Sequence, residues 1–308
     1  MNWKKKGLIY EPPLDGSWRD NSALTPTAFL LNDNVIRVYA SLRDKSGVGR
    51  IGYVDVNASN PSEVLKVSGK PVLDIGRGGM FDDNGVILGD LIRVDDKIYM
   101  YYVGFQLVGK VKFLAYTGLA ISSDNGETFE RVSETPILDR KDEALYIRAI
   151  HSVLFENGKF KVWYATGNGW EVINGIKYPQ YDINYIESDD GISFDGETTK
   201  CIQNNKDNLE YRIGRPRVYK DNRLYIMNFT YGTTDGRYKA GQASSQDGIN
   251  WLRDDDELGI ELSASGWDSK HLSYPSIIKA QGRIYMFYNG NDMGIHGFGY
   301  AERMDEIS

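Results

Sequence analysis

The residues able to do chemistry in this 308-residue chain fall in corresponding places. Asp20 and Thr25, then Asp82 to Asn84, then Glu143, Arg148 and His151 each stand ahead of, or at the start of, a Val/Ile-rich stretch. Glu210, Arg212 and Arg215 follow, and His271 and Tyr274 end the series. A second series, Arg43, Gln106, Trp170, Glu171, Asp235, Arg237 and His296, falls after the aromatic stretches. Carboxylates in such a set can pass protons, guanidiniums can hold anions through paired N–H donors, and imidazoles can take a proton or a metal. All three histidines, His151, His271 and His296, belong to the two series. No tight spacing such as H-x-x-x-H joins them, so no cofactor is expected; a metal ion at the central cavity is the alternative, and a metal-free active sample of the purified protein would rule it out.

The elements that must position these residues are repeated strands. RIYMFYNGNDMGIHGFGYAE at 283–302 reads as an aromatic strand, a Gly/Asn turn, a polar loop and a second strand with small residues. Earlier copies are KIYMYYVG at 97–104, KFKVWYATG at 159–167, RLYIMNFTYG at 223–232 and VIRVYAS at 35–41. A self-similar unit at a period of roughly 50–65 residues marks a repeat architecture. Each unit holds four strands; in the first they are expected at 27–31, 35–41, 50–56 and 64–67. SSDNGETF at 122–129, SDDGISF at 188–194 and SQDGINW at 245–251 share Ser, Asp, Gly and a closing aromatic. Asp accepts backbone N–H groups in a tight turn and Gly supplies positive φ, so these are structural turns.

The last unit, from about residue 268, supplies only three strands, and residues 3–10 supply the fourth. The expected fold is all-β: one five-bladed β-propeller domain over residues 1–308, its ring closed by the N-terminal strand joining the last blade. The leading ends of the innermost strands and the loops between second and third strands then share one mouth of the channel.

Composition narrows the partners. A net charge of −7 without a basic stripe argues against nucleic acid. No stretch approaches the ~20 apolar residues of a membrane span, and no signal-like apolar run opens the chain. Cys201 is the single cysteine, which suits a reducing, cytoplasmic setting. Oligomeric state is not written in the sequence.

YMFYNGN, YMYYVG, WYATGNG and the S-x-D-G-x-x-W/F turns resemble the five-bladed sugar-processing propellers: arabinanases, xylosidases, invertases and levansucrases. The resemblance covers nearly the whole chain and implies glycosidic bond cleavage, with a sugar or oligosaccharide as partner. Those enzymes use three acids at the inner ends of blade strands. By resemblance, Asp20 in WRDNSALTP takes the base or nucleophile role, Glu210 ahead of GRPRV the acid role, and Asp83, with Glu143 as a substitute, the middle role. The third unit departs from the pattern: RAIHSV at 148–153 carries Arg148 and His151 where an Asp is expected. Arg148, His151, Trp170, Arg215, His271, Tyr274 and His296 are the expected sugar contacts, with Tyr178 and Tyr181 as further stacking surfaces. So many arginines also suit the alternative: a non-hydrolytic, carbohydrate-binding or polysaccharide-biosynthesis propeller for an anionic sugar.

Overall fold

The aromatic repeats form strands because β-branched and aromatic side chains fit a surface packed on both faces. A computed structural model describes residues 2–304. β1 (Trp3–Tyr10) is followed by β2 (Ser22–Asn32), β3 (Val35–Arg43), β4 (Gly49–Asn57) and β5 (Asn60–Val67). β6 (Val86–Val94), β7 (Lys97–Gln106), β8 (Leu114–Ser122) and β9 (Glu130–Arg131) make the next group. Then come β10 (Ile147–Glu156), β11 (Lys159–Ile173), β12 (Ile176–Ser188) and β13 (Thr199–Ile202). β14 (Glu210–Asp221), β15 (Leu224–Thr233), β16 (Tyr238–Ser245) and β17 (Leu252–Arg253) follow, and β18 (Ser273–Ala280), β19 (Arg283–Asn289) and β20 (Phe298–Arg303) end the series.

Each group is an antiparallel meander. β2 to β5 form one four-stranded sheet; β18, β19, β20 and β1 form another, with β1 antiparallel to β20 and Lys4 opposite Glu302. The three middle groups merge into one twelve-stranded sheet. Only short parallel contacts join them: Ile147 and Arg148 to Ala115 and Tyr116, and Tyr181 to Arg212. The first strands β2, β6, β10, β14 and β18 each approach the next, and β18 approaches β2.

The apolar core is distributed between neighbouring groups. Tyr39 and Tyr53 pack against Leu88, Met100 and Tyr102; Tyr101 and Leu119 against Val162 and Tyr164; Trp163 against Met227 and Phe229. Trp3 and Met286 meet Leu258, while Phe287 and Tyr300 meet Val38 and Val54. Strands buried on both sides read as near-continuous apolar runs, as KIYMYYVG does.

The Asp-Gly turns lock these interfaces. Asp190 accepts the Ile192 and Ser193 N–H groups, both at 2.8 Å, and Gly191 stands at φ +71°. The turn then docks on the preceding group: the Tyr101 hydroxyl donates to the Gly191 carbonyl at 2.8 Å. Tyr39 does the same to Gly126 at 3.1 Å and the Trp163 indole to Gly248 at 2.8 Å. The indole of Trp3 donates to the Leu258 carbonyl at 2.7 Å.

Candidate active site

Every first strand carries a β-bulge in the same place. Register slips between Leu24 and Thr27 in β2, Leu88 and Asp90 in β6, and Ile150 and Ser152 in β10. The same happens between Gly214 and Arg217 in β14 and between Ser273 and Ser276 in β18. A bulge sets an extra residue against its partner strand and re-aims side chains. The bulged residues are Thr25, Gly89, His151, Arg215 and Tyr274, and all five meet around one narrow passage.

Thr25, Arg215 and Tyr274 hold left-handed backbone, at φ +54°, +55° and +56°, and each precedes a proline. Side chains this bulky rarely adopt that region, and strain of this kind concentrates at functional sites. Gly89 is required by close approach: a Cβ there would lie 2.2 Å from the Ile150 carbonyl oxygen. The bulges are tied to the preceding group by side chains. Asn289 accepts the Thr25 N–H at 2.8 Å, Thr117 the Ile150 N–H at 2.8 Å and Thr230 the Tyr274 N–H at 2.9 Å.

Above this floor lies a cavity of about 440 Å³, within the roughly 300–1,000 Å³ typical of ligand sites. Its walls carry Arg43, Arg212, Arg215, Lys112, Tyr178, Tyr181 and Tyr238. No Asp or Glu lines it among the described residues. Among the described residues none of the three arginines pairs with a carboxylate, and Arg215 donates to the Leu88 carbonyl. Arg212 lies among phenol rings, 4.6 Å from the Tyr238 centroid, 5.0 Å from Tyr211 and 5.9 Å from Tyr178. Its Nε is buried with no hydrogen-bond partner. Burial holds Arg43 and Arg215 below the usual guanidinium range and pushes the Tyr238 and Tyr274 phenols upward, so both phenols stay protonated. Their hydroxyls bond each other at 2.9 Å.

His151 is buried, and its Nδ1 faces Arg215 Nη1 at 3.2 Å. A guanidinium can only donate, so Nδ1 accepts and the ring proton sits on Nε2. Burial first, then the Arg215 and Arg217 cations, holds the imidazole well below its ordinary pKa. It is a neutral donor. Behind it Arg217 pairs with buried Asp90.

His151, Arg215 and Tyr274 are the expected contacts that line the cavity, with Tyr178 and Tyr181. The three expected acids do not. Asp20 accepts the Gly16 N–H within its own loop, and Asp83 accepts the Gly79 N–H at 2.9 Å. Glu210 is gripped by the Arg253 fork at 2.7 and 3.0 Å and accepts the Asn205 N–H. It belongs to a recurring latch in which a buried acid at or just ahead of the start of a first strand pairs with a cation from the fourth. Asp82 pairs with Arg131 and Asp268 with Lys5, at 2.8 and 2.7 Å. Glu143 is exposed on another cleft.

Arg148 lies between Ile147 and Ala149, which line the cavity, so alternation turns it to the other face of β10. There it donates to the Asp139 carbonyl at 2.7 Å and lies over the Tyr164 ring. Trp170 stands edge-on to Phe113 at 5.1 Å, behind the wall. His271 accepts the Asp292 N–H at 3.3 Å beside Tyr238, and His296 is exposed on the β19–β20 loop. The histidines are therefore dispersed, and no cluster of three His, Cys, Asp or Glu able to hold a metal occurs among the described residues.

The chain is 30% identical over 301 residues to "Uncharacterized protein Rv1502" of Mycobacterium tuberculosis (strain ATCC 25618 / H37Rv), covering 98% of this chain and 99% of that one. It belongs to that protein's family. "Uncharacterized protein MT1551" of strain CDC 1551 / Oshkosh matches to the same extent. No protein-family model matches. Among solved structures, a glycosyl hydrolase from Bacteroides ovatus has TM-score 0.71 at 15% identity, covering 98% of this chain and 93% of that one. A structure described under "The GH130 family of mannoside phosphorylases contains glycoside hydrolases that target beta-1,2 mannosidic linkages in Candida mannan" has TM-score 0.71 at 14% identity, with coverage of 98% and 93%. A thermostable family-43 glycoside hydrolase has TM-score 0.66 at 17% identity, covering 95% and 90%. These likenesses establish a shared all-β fold. No helix among the described residues is long and apolar enough to cross a membrane.

Arg43, Arg212 and Tyr238 complete the site, and the sequence does carry a signal for its floor. T-P at 25–26, R-P at 215–216 and Y-P at 274–275 recur at one position of the unit, and the residue before each proline is the one that faces the cavity.

Proposed function

We propose that the protein is a carbohydrate-active, five-bladed propeller, one domain over residues 1–308, whose central cavity binds an anionic sugar without hydrolysing it. The cyclic approach of the five first strands and the β1–β20 pairing support the architecture. A kinship with arabinanase- and invertase-like propellers fits the aromatic strands and the glycoside hydrolases among the structural relatives. A cytoplasmic protein with one free cysteine fits the reading.

One observation carries the function: three guanidiniums line a carboxylate-free cavity beside neutral tyrosines and a neutral histidine. Desolvated cations without counter-charges are costly, and a phosphate or carboxylate on the ligand would relieve them. Tyrosine faces would cover a sugar ring. Carboxylate-driven hydrolysis needs an acid and a second carboxylate about 5–9.5 Å apart across the bond, and no such pair lines the cavity among the described residues.

Calorimetric titration with glucose, glucose 6-phosphate and glucuronic acid, alongside assays of oligosaccharide cleavage, tests this reading. The anionic sugars should bind and glucose should not compete in the cavity; Arg212→Ala and Arg215→Ala should each weaken binding tenfold or more, about 1.4 kcal/mol. Glycoside turnover abolished by Glu210→Gln or Asp20→Asn in a folded protein would overturn it in favour of hydrolysis by the expected acids. That second reading is favoured by the glycoside hydrolases that share the fold.

A further inference from the structure

The β11–β12 hairpin separates two cavities. On one side Tyr178 and Pro179 wall the central cavity; on the other Gly169, Gln180 and Asp182 wall an open cleft of about 810 Å³. Tyr181 borders both. Its ring is seated against Gly214, where a Cβ would come within 2.7 Å of it.

The cleft holds polar groups that the fold leaves unused. Thr166 Oγ1 is buried with no hydrogen-bond partner. Asn184 is 5% exposed, and among the described residues its amide has no protein partner. The two stand on one face of the sheet, since Thr166 is opposite Asp182 and Asn184 lies two residues further along β12. A buried hydroxyl is normally satisfied, and Thr166 is an exception that calls for a partner; the Asn184 amide opens onto the cleft beside it. The groups around them are fixed: Asn204 donates through both backbone and side chain to Asp182 Oδ1 at 2.7 Å, and Gln180 donates to Glu171 at 2.6 Å. Asp182 Oδ1 is thereby occupied.

A hydroxyl oxygen and a carboxamide each both donate and accept. Their natural counterparts are groups that do the same, namely sugar hydroxyls. The charges here nearly balance: Glu143, Asp182 and Asp207 against Lys200 and Lys206. The central cavity has cations only. The difference in charge sorts ligands.

We propose that this cleft is a second sugar subsite, in which Thr166 and Asn184 hydrogen-bond the hydroxyls of a neutral sugar unit while Tyr181 joins it to the central cavity. The protein would then recognise a glycan with one charged residue and a neutral neighbour. The identity of the class as carbohydrate rests on the proposed function; the site itself rests on the two unpartnered groups.

The test uses full-length 15N-labelled protein and reads the Asn184 side-chain amide and the Arg212 Nε–H resonances. The probes are methyl glucoside, methyl mannoside and methyl galactoside as neutral sugars, and glucose 6-phosphate and glucuronic acid as anionic ones. At least one neutral glycoside should move Asn184 and leave Arg212 in place in the native protein, and should move Asn184 equally in Arg212→Ala. Thr166→Val should weaken that response roughly tenfold. It should not lower the unfolding temperature, since it removes a hydroxyl already without a partner. If anionic sugars move Arg212 but no neutral glycoside moves Asn184, the second subsite is wrong and the central reading stands. If a neutral glycoside moves Asn184 equally in Thr166→Val, the assignment of Thr166 fails and the subsite as drawn with it. If no sugar moves either resonance, both readings fall.

Discussion

Two parts of the same repeat unit treat charge in opposite ways. Where the chain leads into a first strand, three buried acids are each paired with a cation: Asp82 with Arg131, Glu210 with Arg253, Asp268 with Lys5. A few residues further on, at the β14 bulge and just before it, the cavity carries Arg215 and Arg212, and no acid lines it among the described residues. The first arrangement fastens the outermost strand to the start of the innermost one. The second leaves charge unmatched in a partly dry space. An ionisable residue near an inner strand is therefore a fastener or a ligand contact according to what it meets: Glu210 and Arg212, two residues apart, meet Arg253 and the cavity respectively.

The sharpest way to break this comparison is to remove a whole fastening strand. Deleting residues 1–12 takes away β1, its pairing with β20, the buried Trp3 and the Lys5 partner of Asp268. The shortened chain should show no cooperative thermal transition; a sharp transition near the native temperature would mean that the last sheet stands without it. Glu210→Gln tests one latch. The Glu210 side chain is 2% exposed and Arg253 24%, so losing the charge removes one of the two carboxylates that hold this guanidinium and leaves it to Asp255 at 2.7 Å. Denaturant titration should show a loss of about 1.5 kcal/mol, since Asp255 still holds the guanidinium. Arg212→Ala should do the reverse, leaving stability unchanged or raised, because no partner is orphaned; equal losses at the two sites would erase the distinction.

The smallest effect is a slope. Native His151 refuses a proton that the unfolded chain accepts near pH 6.5. The unfolded state then binds more protons, so stability is undiminished above that pH and declines as pH falls below it, by at most about 1.4 kcal/mol per unit. His151→Gln should flatten the dependence between pH 7 and pH 5, read from denaturation midpoints at each pH.

The strands are legible in the sequence because aromatic alternation and the Asp-Gly turns are local signals. The unit expected at 27–31, 35–41, 50–56 and 64–67 appears as β2 to β5 with longer ends. The site is legible only in part. Arg148 is an expected contact, but simple alternation already turns it from the face that Ile147 and Ala149 present to the cavity. Arg212 and Arg215 are three apart and would face opposite sides of a regular strand; the bulge between Gly214 and Arg217 brings both inward. Strand periodicity cannot carry that information, since a bulge resets the count. The acids mislead for a different reason. Asp20, Asp83 and Glu210 have the right type and approximate position, but their partners come from loops and a fourth strand distant in sequence or hidden in turns.

The tethers beneath the cavity floor have an evolutionary consequence. Because Thr25, Ile150 and Tyr274 are each hung by a backbone N–H from a neighbour's hydroxyl or amide, the scaffold grips the main chain and leaves the adjoining side chains free to be exchanged. Descendants of this molecule can rewrite their chemical preference one letter at a time at positions 25, 151, 215 and 274, while Gly89, where any Cβ would meet the Ile150 carbonyl, stays as it is.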